Sequence, residues 1–271
     1  MKEKEILKIY CFYYKPCEII VHDKCYLPIW VGKSTNNNYP ELTGDNTGDN
    51  ISSKNKYYSE LTGLYWVWKN TNTDIVGSCH YRRYFTNAKE PFLYQLKRLL
   101  YYTFGLNKKR FGLIYTKNIS FWKNKILSES ETIELLKNYD AILPLRRKFK
   151  YTLKEHYRRY HDLKELDLVN AILEEFCPEY ISSFNQMLKG KRLFANNMFI
   201  LKLETFEELM KWLFHILFEI EKRIDLNNFQ GYKERIFGFL SERLITLWIY
   251  HNKINFKELP LIYFKQLKTK N

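Results

Sequence analysis

Short apolar runs alternate along this sequence with longer segments in which apolar residues recur at helical spacing. The apolar runs predict strands at Leu7–Tyr14, Asp74–Cys79, Ala141–Leu145 and Leu193–Leu203. Helical spacing predicts helices over Ser59–Asn70, Ser128–Tyr139, two patches within Leu153–Phe176, a segment opened by Thr205, and Phe237–Tyr250. This alternation is typical of an α/β fold, in which ligands bind at the carboxyl ends of the strands.

Polar residues at the ends of these segments indicate where helices begin and where the chain forms loops. Ser59 is in position to cap the first helix, while Ser128–Glu131 and Thr205–Glu208 have the spacing of capping boxes. The stretch Ser34–Asn55 is rich in Asn, Thr, Gly and Asp, which predicts a loop. No linker or internal repeat divides the chain, so we predict one domain over residues 1–271.

The composition is that of a globular protein. The 271 residues can bury a substantial core, and 45% of them are hydrophobic and 27% charged. No apolar run approaches the roughly 18 residues of a transmembrane helix, and Met1–Lys8 lacks the apolar core of a signal peptide. Five cysteines occur without a Cys-x-x-Cys pair, as is usual for reduced thiols. We therefore expect a cytoplasmic protein.

The net charge of +14 and the 17% aromatic content point to three classes of partner: nucleic acid, an anionic membrane or a phosphorylated ligand. The segment Pro91–Ser128 carries eight Lys and Arg residues and no acidic residue. Within it, Phe92–Phe104 fits a basic amphipathic helix that would place the protein peripherally on the inner face of the plasma membrane. A solvated insertion that only balances an acidic surface elsewhere is the alternative.

The sequence His80-Tyr81-Arg82-Arg83 follows directly after a predicted strand, where α/β proteins place ligand-binding groups. A guanidinium group pairs well with a diphosphate, and His80 can donate to a phosphate oxygen or transfer a proton. If the strand continues, Arg82 and Arg83 point to opposite sides and at most one faces a phosphate. A solvated basic strand end is the alternative.

Three further patterns could carry chemistry. The loop with two Gly-Asp-Asn repeats offers Asp45, Asp49 and Asn50 to a sugar hydroxyl, a ribose or a cation, or is an ordinary Asx-rich turn. Two amides, at Asn196 and Asn197, interrupt an apolar strand and either bind sugar hydroxyls or satisfy a bulge. One carboxylate, Glu242, lies in an apolar helix as a general base or as a structural partner of the adjacent arginine.

Several blocks of this sequence together resemble a known family. The blocks are KIYCFYYKP, LTGDNTGDNISSKNKYYSELTGLYWVWKN, DIVGSCHYRRYF, NNMFI and FGFLSERLITLWI. They resemble a bacterial family catalogued as domain of unknown function number 4422, whose members occur among capsular polysaccharide, exopolysaccharide and lipopolysaccharide synthesis proteins and are treated as glycosyltransferases. The resemblance implies a GT-A-like nucleotide-sugar fold with a mixed, mostly parallel sheet flanked by helices and a basic helical insertion at 91–128.

The resemblance also implies roles for the candidate residues. It assigns the donor to Asp45, Asp49, Asn50, His80, Tyr81, Arg82 and Arg83. It assigns the acceptor to Asn196, Asn197 and His156, and the catalytic base to Glu242. The Asp-x-Asp metal motif of many nucleotide-sugar enzymes is missing, so we expect the arginines to neutralise the diphosphate without a metal. A divalent cation, Mn²⁺ or Mg²⁺, bound by Asp45 or Asp49 is the alternative.

The function that the resemblance implies is transfer of a hexose, with galactose in pyranose or furanose form as one candidate, from a nucleotide-sugar to a growing glycan or lipid-linked acceptor. One alternative is a non-catalytic, membrane-associated scaffold of a polysaccharide assembly complex. A nucleic-acid-binding protein is the weaker alternative, because no RNP1-type motif or helix-turn-helix pattern accompanies the positive charge. We therefore expect no nucleic-acid partner.

Overall fold

The computed structural model describes residues 6–21, 23–89, 91–93, 96 and 113–268. Its strands are β1 Leu7–Tyr13, β2 Tyr26–Trp30, β3 Thr43–Gly44, β4 Ile75–His80, β5 Arg83–Phe85, β6 Leu113–Thr116, β7 Ala141–Pro144, β8 Arg147–Lys148, β9 Arg192–Leu193, β10 Phe199–Lys202, β11 Phe256–Leu259 and β12 Leu261–Phe264. Its helices are α1 Asn55–Tyr58, α2 Leu61–Asn70, α3 Ile119–Lys123, α4 Glu129–Leu136, α5 Leu153–Arg158, α6 Leu163–Phe176, α7 Ile181–Lys189, α8 Leu203–Arg223 and α9 Ile236–His251.

Within the described residues, ten strands form one mixed sheet whose main path is β11-β7-β10-β4-β1-β2-β3. All neighbours along this path are parallel except β10, which runs antiparallel to both β4 and β7. The sheet continues through β5, which turns back from β4 and pairs with β12, and β12 pairs in parallel with β6. The predicted α/β class with a mostly parallel sheet flanked by helices is confirmed.

Both faces of the central strand β1 are buried, which explains its continuous apolar sequence. Tyr10 and Phe12 pack into a cluster that the helices α2, α6, α8 and α9 cover. Ile9, Cys11 and Tyr13 point to the other face, into a second cluster that includes residues of β12 and α4. The β1 side chains therefore belong to two cores, one on each side of the sheet.

Several predicted helix starts can now be compared with the structure. The capping box at Ser128 and Glu131 is confirmed at the start of α4. The cap at Ser59 is wrong: Ser59 has a positive φ of 52° and ends α1, and α2 begins after Glu60. The capping box at Thr205 is also wrong, because β10 leads directly into α8 at Leu203 and Thr205 already lies in its first turn.

The predicted strand Leu193–Leu203 is wrong as one element. It is divided into β9 and β10 by a turn in which Asn196 and Asn197 both have positive φ, 82° and 50°. Left-handed backbone cannot continue a strand, and Asn tolerates this conformation better than most other residues. The two amides therefore mark a change of chain direction at the edge of the sheet.

Candidate active site

A cleft of about 520 Å³ lies at the edge of the sheet where β1, β4 and β7 end. Because β10 is antiparallel, its first residues reach the same edge, and the turn before it contributes Asn196. The amino-terminal part of α9 forms another wall with Phe239, Glu242 and Arg243. The volume lies within the range of small-molecule sites, and this edge is where α/β sheets bind ligands.

Five arginines and two glutamates line the cleft, which leaves a surplus of positive charge: Arg82, Arg83, Arg147, Arg235, Arg243, Glu60 and Glu242. One of the arginines is neutralised locally, since Arg235 Nη2 lies 3.1 Å from Glu60 Oε2. The remaining guanidinium groups favour an anionic ligand, and diphosphate is an anion that arginine forks bind well.

The turn from β4 to β5 brings two of these arginines into the cleft. His80 pairs with Arg83 across the two strands, so Tyr81 and Arg82 form the turn itself. The strand reverses here instead of continuing, so the condition under which only one arginine would face a phosphate is not met, and both arginines line the cleft. Both guanidinium groups pack over the ring of Tyr263, at 4.8 Å for Arg82 and 5.4 Å for Arg83, which restricts their orientation.

The imidazole of His80 is buried at the end of β4 and is held by one backbone contact. Its Nε2 lies 2.8 Å from the carbonyl oxygen of Asn196, and because a carbonyl only accepts, Nε2 donates. Burial, with the positive charge of Arg83, lowers the pKa of His80 to about 4. At neutral pH the ring is therefore uncharged, and the arginines supply the positive charge of this region.

Glu242 is the carboxylate that α9 presents to the cleft. Its Oε1 accepts a hydrogen bond of 2.7 Å from the backbone N–H of Asn196. Within the part of the chain that the structure describes, no group donates to Oε2. Burial raises the pKa of Glu242 above its usual range, although the Asn196 N–H and the charges of Arg243 and Arg147 oppose the shift. A carboxylate with a raised pKa is suited to proton transfer.

Asn197 lies behind the cleft wall and ties three elements together. Its Nδ2 donates to Glu60 Oε1 at 2.8 Å and to the Gly238 carbonyl at 3.0 Å, and its Oδ1 accepts from Ser241 Oγ at 3.0 Å. These bonds join the turn before β10 to the start of α2 and to α9. The positions of Asn196 and Glu242, which hydrogen-bond each other, therefore depend on Asn197.

A comparison with protein-family models matches residues 8–253 to the domain of unknown function DUF4422. This chain belongs to the DUF4422 family. The resemblance inferred from the sequence blocks is thereby confirmed. The DUF4422 match covers every residue that lines the cleft and ends before the strands β11 and β12.

The DUF4422 chain is also similar to a solved protein, the apo structure of the bifunctional glycosyltransferase WbbM. The TM-score is 0.84 and the sequence identity is 28% over 97% of this chain. The match covers 46% of the WbbM chain, so this chain spans less than half of its length. No curated protein matches the sequence significantly.

In this DUF4422 chain, the structure brings together His80, Arg82, Arg83, His156, Asn196 and Glu242 around one cleft. His156 stands on α5 with its ring 4.0 Å from that of Phe149. The cleft thus unites residues from four distant parts of the sequence that were predicted separately as donor contacts, acceptor contacts and base.

Other predicted residues lie away from the cleft walls. Asp45 is fully buried, and its carboxylate accepts from the N–H groups of Gly32 and Lys33 and from Ser52 Oγ. Asp49 accepts from the hydroxyl of Tyr65. These carboxylates therefore hold the loop after β2 in shape.

Two further residues predicted as donor contacts, Asn50 and Tyr81, also lie away from the cleft walls, as does the predicted acceptor contact Asn197. Asn50 bonds to the backbone of its own turn, at Gly48 and Ser52. Tyr81 is buried against the rings of Tyr13 and Tyr14.

Sequence reasoning missed several residues of the DUF4422 cleft. Glu60 directly precedes α2 and has no local pattern that marks it as a site residue. Arg147 follows the strand β7 within the basic run LRRKFK, a signal equal to that of the arginines after β4. Arg235 immediately precedes α9 and has no distinctive local pattern. His161 lies between the rings of Tyr157 and Phe239, with ring centres 4.5 and 4.6 Å away, a contact that depends on tertiary packing.

Two further observations concern a metal cofactor and membrane-spanning helices. Among the described residues, no cluster of three or more His, Cys, Asp or Glu side chains has the geometry to hold a metal ion. None of the helices in the described ranges is both long and apolar enough to cross a membrane. Most of the predicted basic helix Phe92–Phe104 lies outside the described residues.

Proposed function

We propose that this chain is a glycosyltransferase that moves a sugar from a nucleoside diphosphate sugar to a hydroxyl group of a glycan acceptor. The observation that carries the proposal is one cleft that combines the arginine pair of the β4–β5 turn with the carboxylate Glu242. Such a reaction needs positive charge for the leaving diphosphate and a base for the attacking hydroxyl. The similarity to the bifunctional glycosyltransferase WbbM supports the same reaction class.

In the proposed reaction, Glu242 accepts the proton of the acceptor hydroxyl while the hydroxyl oxygen attacks the anomeric carbon. The bond between that carbon and the diphosphate oxygen breaks, and its electron pair leaves with the nucleoside diphosphate. Arg82 and Arg83 neutralise the charge that develops on the diphosphate. The proton on Glu242 passes to solvent or to the released product, which restores the base.

The geometry around Glu242 supports its role as the base. Its Oε1 is fixed by the Asn196 N–H, which leaves Oε2 for the acceptor hydroxyl. Its raised pKa increases its affinity for the proton, because burial disfavours the carboxylate more than the protonated acid. The uncharged His80 fixes the opposite side of the same turn through the Asn196 carbonyl.

The finer parts of the proposal come from the family resemblance. We propose a hexose donor, with galactose as the first candidate, and a capsular, exopolysaccharide or lipopolysaccharide acceptor, either free or lipid-linked. We also propose that the basic segment 91–128 docks the enzyme on the cytoplasmic face of an anionic membrane through the residues before β6, because β6 itself belongs to the sheet. We propose that the arginines neutralise the diphosphate without a metal, and dependence on Mn²⁺ or Mg²⁺ is the alternative.

The test is a panel of nucleotide-sugars measured by thermal shift with and without Mn²⁺, followed by an assay of nucleoside diphosphate release with the donor that stabilises most. We expect at least one donor to raise the melting temperature and to be turned over. Arg82→Gln and Arg83→Gln should weaken both effects, whereas Arg223→Gln, on an exposed residue of α8, should not. A complete panel that leaves the melting temperature unchanged would overturn the proposal.

A further inference from the structure

The cleft lining contains arginines beyond the pair of the β4–β5 turn. Arg147 lies after β7, and Arg243 lies on α9 next to Glu242 in sequence. The positive charge of the cleft is therefore spread over two places, the β4–β5 turn and the side of the cleft that carries the proposed base.

Arg243 is a buried cation without a bound anion. Its side chain is only 3% exposed, Nη1 donates to the Phe239 carbonyl at 2.7 Å, and Nε has no partner. Within the described residues, no carboxylate oxygen lies within 4.0 Å of its guanidinium group, whose carbon instead lies 4.5 Å from the ring centre of Tyr157. A buried, unpaired charge is strongly unfavourable, so this arrangement suits a ligand that supplies the anion.

Arg147 continues the positive charge from the cleft to the surface. It begins the two-stranded ribbon of β8 and β9, in which it pairs with Leu193 and Lys148 pairs with Arg192. Neither 145–151 nor 189–195 contains an acidic residue. The exposed cations of this ribbon are Lys148, Lys150, Lys191 and Arg192. In the described part of the chain, none of these side chains forms an ion pair, so the ribbon attracts anions towards the cleft.

We propose that the acceptor carries an oxyanion, a phosphate or a carboxylate, which Arg147 and Arg243 bind beside Glu242. This inference rests on the proposed function, because it assigns the side of the cleft that the donor diphosphate leaves free. A bound oxyanion would give Arg243 an anion at hydrogen-bond distance and would set the distance between the acceptor hydroxyl and the base. The basic ribbon would contact further acid groups of an acidic glycan or of a glycan phosphate.

The experiment measures sugar binding by saturation-transfer difference NMR on protein saturated with the nucleoside diphosphate that stabilises it most. Glucuronate, glucose 6-phosphate and neutral glucose are the probes, so that carboxylate and phosphate are distinguished. We expect one or both anionic sugars to bind about tenfold more tightly than glucose. Arg147→Gln should remove this preference and leave the affinity for the nucleoside diphosphate within about twofold.

Arg243→Gln should have the same effect. Because Arg243 is buried, the thermal unfolding of this variant is recorded to check that it folds. Arg147 is only half-buried, so Arg147→Gln is the variant that decides the test. Arg223→Gln is the control and should keep the preference. Equal binding of charged and neutral sugars would overturn the inference. So would a loss of nucleoside diphosphate affinity in Arg147→Gln as large as that in Arg83→Gln, because these cations would then serve the donor.

Failure of the anion site can be distinguished from failure of the proposed function. If no nucleoside diphosphate binds, the proposed function fails, and the same NMR comparison is made on the protein alone. A preference for anionic sugars that depends on Arg147 would then still support the anion site. Its absence there would refute the site independently of any transfer activity.

Discussion

The replacement Glu242→Gln tests the assignment of the base with little structural disturbance. A glutamine keeps an oxygen that can accept the 2.7 Å hydrogen bond from the Asn196 N–H, so the turn before β10 stays in place. What is lost is the ability to take up a proton. General base catalysis contributes about 10²–10⁴-fold to a rate, which corresponds to about 3–5 kcal/mol of activation free energy. We expect kcat to fall by that factor while the affinity for the nucleoside diphosphate changes little.

The same replacement has a predicted effect on stability with a defined sign. Burial raises the pKa of Glu242 in the folded protein above its value in the unfolded chain. The folded state therefore binds this proton more tightly, and the stabilisation is fully present below the unfolded pKa of about 4.3 and is lost as pH rises through the folded value. At neutral pH, Glu242→Gln should be at least as stable as the natural protein, and the difference should vanish near pH 4.

Steady-state release of nucleoside diphosphate measures the first effect, and thermal unfolding between pH 4 and pH 8 measures the second. Glu208→Gln, on an exposed residue of α8, is the matched control and should change neither quantity. Full activity in Glu242→Gln would refute its role as the base. A lower melting temperature at neutral pH would show that the carboxylate stabilises the fold instead of serving the reaction.

Three further replacements test the framework of the cleft. Asn197→Ala removes three buried hydrogen bonds, one of them to Glu60. It should lower the free energy of unfolding in urea by about 2–4 kcal/mol. A loss below about 1 kcal/mol would contradict the role of Asn197 in joining the turn before β10 to α2 and α9. His80→Gln should flatten the pH dependence of stability. The pKa of His80 is about 4 in the folded protein and about 6.5 in the unfolded chain, so the natural protein should lose roughly 3 kcal/mol of unfolding free energy as pH falls through that range. An unchanged slope of stability against pH would refute this. Gly63→Ala brings a Cβ to 2.5 Å from the Phe12 ring, where α2 packs on β1. It should lower the free energy of unfolding in denaturant, despite the higher helix propensity of alanine. A stabilised variant would show that the packing relaxes.

Elements with a strong apolar pattern were predictable from the sequence. The strand predicted at Leu7–Tyr14 forms over Leu7–Tyr13, and the helix predicted at Phe237–Tyr250 forms over Ile236–His251. Burial of one face or of both faces imposes these patterns locally, so a short window of sequence contains the information. The divided strand at Asn196 was missed because the apolar residues on either side of the turn continue without a break, and the backbone reversal depends on bonds to distant helices.

Part of the cleft lining was predictable from local sequence. The arginines after β4 stand out because they follow a strand directly, and Glu242 stands out as a carboxylate in an otherwise apolar helix; the cleft contains all three. Glu60 and Arg235 could not be found, because they reach the cleft as an ion pair between residues 175 positions apart. Asp45 looked like a ligand group in the sequence, yet it bonds to backbone N–H groups of its own loop. Local sequence does not distinguish a carboxylate that binds a ligand from one that shapes a loop.

The most direct test of the central claim is a calorimetric titration of the stabilising nucleoside diphosphate into the natural protein and three arginine variants. Arg82→Gln and Arg83→Gln should each weaken binding by about tenfold or more, since each removes charge-assisted hydrogen bonds to the diphosphate. Arg223→Gln should bind like the natural protein. Equal affinity in all four proteins would contradict the claim that the β4–β5 turn binds the donor diphosphate.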